Sequence, residues 1–307
     1  MIATVLGASR DPVLEQRIGF ACAIAILFVW TGFILASRAG ARGVLTPWDL
    51  AALRFGVALV ALSPLMLRGA LRDIPLQRVL VMGATAGLGF ALFAYNAFAL
   101  APAAHAAVLL PGALPFVTAV LAWAWLGEAP TSRRVLSLLV VAAGIALLAG
   151  SEFFATPGAW RGDILFVIAT SSYAVFIVLV QRWRVSAIQA TAAVALGAAP
   201  LYLPVWWLAL PSAIAEAPWQ EVVFQGFVQG LVAMVLASLL YTRALVALGS
   251  TTVSLFTAVV PALAALAAWP VLDEPLGLGA LLGVFLVTAG MALGVRRGRV
   301  DVPLARP

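Results

Sequence analysis

Apolar residues fall in long runs along this chain, separated by short clusters of proline, glycine and arginine. Ten runs can be drawn, at 17–37, 47–67, 78–100, 105–126, 132–150, 161–181, 189–210, 222–247, 250–272 and 276–295. A helix rising about 1.5 Å per residue needs about 20 such residues to cross roughly 30 Å of hydrocarbon. Each run therefore predicts a membrane-spanning α-helix. The breaks lie where turn formers and charge gather, as in "SPLMLRGALRDIPLQR" and "GEAPTSRR". Strands of a membrane barrel would instead alternate apolar and polar positions over about ten residues. The first run follows a tail bearing Arg10, Asp11, Glu15 and Arg17. It is too long for the core of a signal peptide and has no small-residue cleavage site after it, so it reads as a retained span.

Composition agrees. Hydrophobic residues make up 64% of the 307 positions and charged ones 10%, against about 25% charged in a soluble domain. With a mean hydropathy of +1.11, the solvent for this surface must be lipid. One membrane domain is expected, with a tail at 1–16, a first five-helix unit at 17–150, a second at 151–295 and a tail at 296–307. The basic residues are all arginine and set an orientation. With the N-terminus inside, fourteen arginines fall on cytoplasmic segments, three (Arg38, Arg42 and Arg161) on external loops, and Arg54 within a span. That bias predicts both termini in the cytoplasm. The net charge of +6 thus reflects membrane topology, and arginines scattered over many short loops do not suit nucleic acid.

The pattern also repeats. "PFVTAVLAWAWLGE" at 115–128 returns as "PALAALAAWPVLDE" at 261–274, matching Pro115 to Pro261, Trp123 to Trp269, Leu126 to Leu272 and Glu128 to Glu274 without a gap. Extended over 95–149 against 241–295, the match places Tyr95 on Tyr241 and Gly144 on Gly290, with about 15 identities in 55. Earlier, at an offset of 143, Gly19, Trp30 and Phe33 lie over Gly162, Tyr173 and Phe176. A repeat of five spans is odd in number, so the second copy must be inverted in the bilayer. The expected fold is all-α and integral to the membrane, ten transmembrane helices in two inverted five-helix repeats. Such repeats build secondary transporters, whose halves form a central site and rock about it to give alternating access.

Several motifs carry a resemblance at this point: "LRF" at 53–55, "YNAFAL" at 95–100, Pro115 followed by "GE" at 127–128, and "VVAAGIALLAG" at 140–150. Together with ten spans in two repeats, they make the chain resemble the EamA-type branch of the drug/metabolite transporter superfamily over residues 17–295. Bacterial amino-acid and metabolite exporters of the YddG type are the nearest branch it is similar to. The resemblance implies an inner-membrane exporter with a cavity lined by spans one to four and six to nine, and with spans five and ten peripheral. Nucleotide-sugar or sugar-phosphate transport in the same superfamily is the alternative, and a membrane scaffold that transports nothing is a third reading.

Enzyme chemistry fails on inventory. No Asp or Glu lies in the middle of a predicted span, and one cysteine (Cys22) and one histidine (His105) are too few for a metal site. No cofactor is expected, and the partners are a small-molecule substrate and the lipid bilayer. Arg54 is the one charge well inside a span, either snorkelling or bonding carbonyls at a helix interface, or recognising a carboxylate. His105 is either a satisfied interfacial residue or a cavity lining and proton-sensitive gate. Pro111 and Pro115 should kink the fourth span and free carbonyls near Ala107 to Pro111 towards the pathway. Trp30, Tyr95, Tyr173 and Tyr241 lie deep and in repeat-matched places, either packing the core or offering ring faces to a substrate. Trp48, Trp160, Trp206, Trp207 and Trp219 are expected in the interfacial belt. Asn96, Gln229 and Ser238 complete the candidates as polar groups that bridge helices or contact a solute. With Arg54 and Arg243 as the only candidate basic groups, the cavity is expected to be essentially uncharged and suited to a neutral or zwitterionic solute.

Overall fold

The computed structural model describes residues 11–40, 43–101, 103–149, 157–272 and 278–294. Arg10, Arg42, Asp273, Glu274, the arginines beyond 295 and the side chain of Trp269 lie outside the described set. The described residues are helical with short turns and no strand. We number the helices α1 (Pro12–Gly40), α2 (Pro47–Leu67), α3 (Leu76–Leu100), α4 (Ala103–Ala107, Val108–Gly112 and Leu114–Leu126) and α5 (Ser132–Ala149). They continue as α6 (Trp160–Trp183), α7 (Ala187–Ala209), α8 (Trp219–Leu248), α9 (Ser250–Thr257 and Val260–Leu272) and α10 (Leu278–Gly294). Seven of them, α1 to α4 and α6 to α8, contain stretches long and apolar enough to cross a membrane.

Local sequence sets the helix ends. At α2, Thr46 accepts from the Asp49 amide at 3.1 Å while the Asp49 carboxylate accepts from the Thr46 amide at 3.0 Å, with Pro47 in the first turn. This reciprocal cap satisfies donors that a helix start leaves open. Ser186 and Gln189 build the same device at α7. The α8–α9 connection is the single residue Gly249, at φ 82°, a conformation in which a side chain would clash.

Helix pairing carries the imprint of the repeat. A Cβ built at Gly144 of α5 would stand 2.7 Å from the Val287 amide nitrogen of α10, and one at Gly290 of α10 would stand 2.9 Å from the Val141 amide nitrogen of α5. The two contacts exchange under the 146-residue offset. Gly19 of α1 likewise sits against Ala247 of α8, and its counterpart Gly162 of α6 against Ala101 of α3. Small residues at these points let helix backbones approach closely, where lipid supplies little hydrophobic drive for association. Helices α5 and α10 pack chiefly on each other, apart from the bundle formed by α1 to α4 and α6 to α9.

The helical interruptions repeat as well. Helix α3 widens to π-helical turns over Gly83–Gly89 and α8 over Gly226–Leu236, which overlap under the same offset. Helix α4 widens over Val108–Gly112 at Pro111, and α9 breaks between Thr257 and Val260, the corresponding place. Proline explains the first of that pair, since its missing N–H and bulky ring disrupt the hydrogen-bond ladder. Thr257 stands where α4 has Pro111, and its hydroxyl donates to the Ser254 carbonyl at 2.7 Å.

Candidate functional site

The widened turns and kinks lie around a cavity at the centre of the bundle. Helix α1 contributes Trp30, Phe33 and Ile34, α2 Arg54, α3 Phe90, α4 Leu110, Pro111 and Leu114, α6 Thr170 and Tyr173, and α8 Ala233. Its volume is about 530 Å³, mouth included, and little of that is clear of the wall side chains. In this state it is constricted. Admitting a metabolite requires wall side chains or helices to move.

Three of the deep aromatics meet here. Trp30 stacks on Tyr241 with ring centres 5.3 Å apart and planes 9° apart, and meets Tyr173 edge-on at 5.9 Å. Tyr173 and Tyr241 close the triangle at 5.6 Å. Trp30 and Tyr173 line the cavity; Tyr241 is fully buried behind them, its hydroxyl 3.4 Å from Ser254 Oγ. Tyr95 stands apart from this cluster. Its hydroxyl donates to Gln229 Oε1 at 2.9 Å, and Gln229 Nε2 donates to Gln225 Oε1 and Ser37 Oγ at 3.0 and 3.2 Å. Gln225 Nε2 donates in turn to the Ala36 carbonyl at 3.1 Å. This buried chain ties α3, α8 and α1 together, and its members do not face the cavity.

Other candidates also sit elsewhere. His105 is buried, and its Nδ1–H donates to Asp163 Oδ1 at 2.7 Å, joining the start of α4 to the start of α6. It lies outside the cavity wall. The Asn96 amide donates back to the Leu92 carbonyl at 2.8 Å within α3. Ser238 is buried on α8, also outside the wall. Arg243 grips Glu15 with two bonds of 2.5 and 2.6 Å, so its charge is neutralised at the α8–α1 contact.

Three expectations need correction. The cavity is not uncharged, because Arg54 forms part of its wall. The carbonyls of Leu109 and Leu110 at the α4 break are not left free; both accept from the Thr170 hydroxyl of α6, at 2.8 and 3.3 Å. Nor is Trp206 a simple belt residue, since its indole N–H donates to Asp49 Oδ1 at 3.0 Å. Asp49 also accepts from Ser212 at 2.6 Å and from the Ala213 amide at 2.9 Å. Sequence reasoning missed this Asp49 hub, although the "TPWD" start of α2 is a visible capping signal. Trp207 and Trp219, by contrast, are highly exposed, as belt residues would be.

A helical membrane bundle whose central aromatic cavity sits among interrupted, repeat-related helices has the build of a solute carrier. The sequence matches the EamA-like transporter family twice, over residues 17–150 and 160–296. The chain belongs to that family, and so to the drug/metabolite transporter superfamily; it is a multi-pass membrane protein of a family of transporters. No curated protein matches the chain. Among solved structures it is similar to one described only as "Crystal structure of protein", at 21% identity and a TM-score of 0.67, covering 91% of this chain and 95% of that one. At that identity the likeness speaks for the fold alone.

Proposed function

We propose that this protein is a secondary transporter that exports amino acids or similar small metabolites by alternating access through the central cavity. Ten spans in two inverted five-helix repeats support the rocking of one half against the other. The observation that carries the reading is the cavity itself, walled by α1 to α4 of the first repeat together with α6 and α8 of the second. The reciprocal contacts of Gly144 and Gly290, and of Gly19 and Gly162, support a two-fold relation between the halves. An odd number of spans per repeat makes that relation an inversion. The excess of arginine on one set of loops supports both termini in the cytoplasm, and an exporter of this kind would act in the plasma membrane. Trp30, Arg54 and Tyr173 are the candidate residues in position to touch a solute, with Tyr241 fixing the Trp30 ring from behind.

The test is flux. Purified protein in liposomes is loaded with a panel of amino acids and small organic acids, and efflux is followed against protein-free vesicles. Saturable efflux of any member supports the proposal. Flux of sugar phosphates with none of the panel favours the alternative branch of the superfamily, and an inert protein of normal fold favours the scaffold reading.

A further inference from the structure

Arg54 is 4% exposed, and its Nε and Nη1 are buried without a hydrogen-bond partner. A guanidinium does not escape this cost by losing its proton, because it stays charged inside proteins. A buried cation without a counter-charge is costly by several kcal/mol. Snorkelling offers no relief here, since the guanidinium lies 5.5 Å from the centre of the Phe90 ring inside the bundle. That ring face compensates the charge in part, and the Tyr95 hydroxyl stands beside it, yet neither is an anion.

The carboxylates that enter the bundle are committed elsewhere. Asp49, about a turn and a half earlier on α2, accepts from Thr46, Trp206, Ser212 and Ala213. Glu15 holds Arg243, and Asp163 holds His105. Arg54 therefore presents an unmatched cation to a cavity whose remaining walls are mostly aromatic and aliphatic. We infer that the transported solute is a small monocarboxylate with an apolar, ring-sized body and no cationic group. Its carboxylate docks on the Arg54 guanidinium fork, and its body lies against Trp30, Phe33, Phe90 and Tyr173. The inference rests on the reading of the cavity as a transport site, and within that reading it selects a carboxylate metabolite over the zwitterionic amino acids.

The charge count separates this class from its neighbours. A zwitterion would bring an ammonium into a wall that holds a cation and no carboxylate among the described residues. A phosphate ester carries two charges and three acceptor oxygens, for which one guanidinium is a poor match. The fork geometry matters too, because a planar guanidinium meets a carboxylate with two parallel bonds and a lysine ammonium does not.

Three probes share one phenyl body and differ only in charge: 3-phenylpropanoate, its neutral amide 3-phenylpropanamide, and zwitterionic phenylalanine. Each is titrated by calorimetry into the purified wild-type protein in lipid nanodiscs. The carboxylate is expected to bind at least ten times more tightly than either of the others. Arg54→Gln should bring it down to the amide's affinity, and Arg54→Lys should fall between. The inference is overturned if the amide or phenylalanine binds as tightly, if no probe binds, or if Arg54→Gln keeps the carboxylate's advantage. Should Arg54→Gln fail to fold, the wild-type comparison of the three probes decides alone. The two readings fail separately. Liposome flux of amino acids without preferential carboxylate binding sinks this inference and leaves the transporter, while preferential binding without flux of any solute sinks the transport reading and leaves Arg54 as a carboxylate-binding site only.

Discussion

Replacing Trp30 by alanine removes the ring that touches both Tyr173 and Tyr241. An aromatic pair contributes about 0.5–1.5 kcal/mol beyond its buried area, so the stack at 5.3 Å and the edge contact at 5.9 Å together account for about 1–3 kcal/mol. Trp30 also lines the cavity, so the deleted volume joins existing space and seals off no new void. The total should therefore lie near the lower end of the about 3–5 kcal/mol typical of buried Trp→Ala changes. Trp207→Ala, at a residue 77% exposed, should cost within about 0.5 kcal/mol. Reversible unfolding in mixed micelles gives both values, and flux per folded molecule gives the functional consequence. A double-mutant cycle of Trp30→Ala with Tyr241→Ala isolates the stack, with an expected coupling of about 0.5–1.5 kcal/mol. Zero coupling, or an equal loss at Trp207, would refute the claim that this cluster organises the cavity.

Gly144→Ala and Gly290→Ala should each destabilise the α5–α10 seam by about 1–3 kcal/mol through overpacking, and by similar amounts because the contacts are reciprocal; thermal midpoints in one detergent test the equality. Asp49→Ala strips the α2 cap and the partners of Trp206, Ser212 and Ala213, for an expected loss of at least about 2 kcal/mol. Asp49→Asn should recover part of that loss in the same melts. Thr170→Val keeps the side-chain shape but leaves the Leu109 and Leu110 carbonyls without their donor, and should cost about 0.6–2 kcal/mol in an unfolding titration, with no loss of α4 helicity by circular dichroism.

Much of the scaffold was legible because its causes are local. The predicted run 47–67 coincides with α2 since Thr46, Pro47 and Asp49 define its start within four residues. Pro111 announced the break in α4 because a ring on the backbone nitrogen acts wherever it stands. The repeat was legible through residues held in one register, Gly144 and Gly290 among them, and those two turned out to be points of close helix contact. The widened turn in α8 was not foreseen, since Gly226–Leu236 holds no proline and only glycines that any membrane helix tolerates.

The site itself was only half legible, for a reason that lies in the solvent. In lipid a helix can be apolar around its whole circumference, so Phe28 faces out at 66% exposure while Ile26, two residues earlier, is fully buried. No polar stripe then tells which way a side chain points. Sequence alone determined the helices, the break at Pro111, the repeat, and the fact that one arginine lies deep in a span. Tertiary structure decided the rotations, which small-residue contacts such as Gly19 on Ala247 fix across the bundle. Those rotations brought Trp30, Tyr173 and Tyr241 into one cluster and turned Tyr95 towards Gln229. They also gave Asp163 to His105 and Glu15 to Arg243, leaving Arg54 to face the cavity.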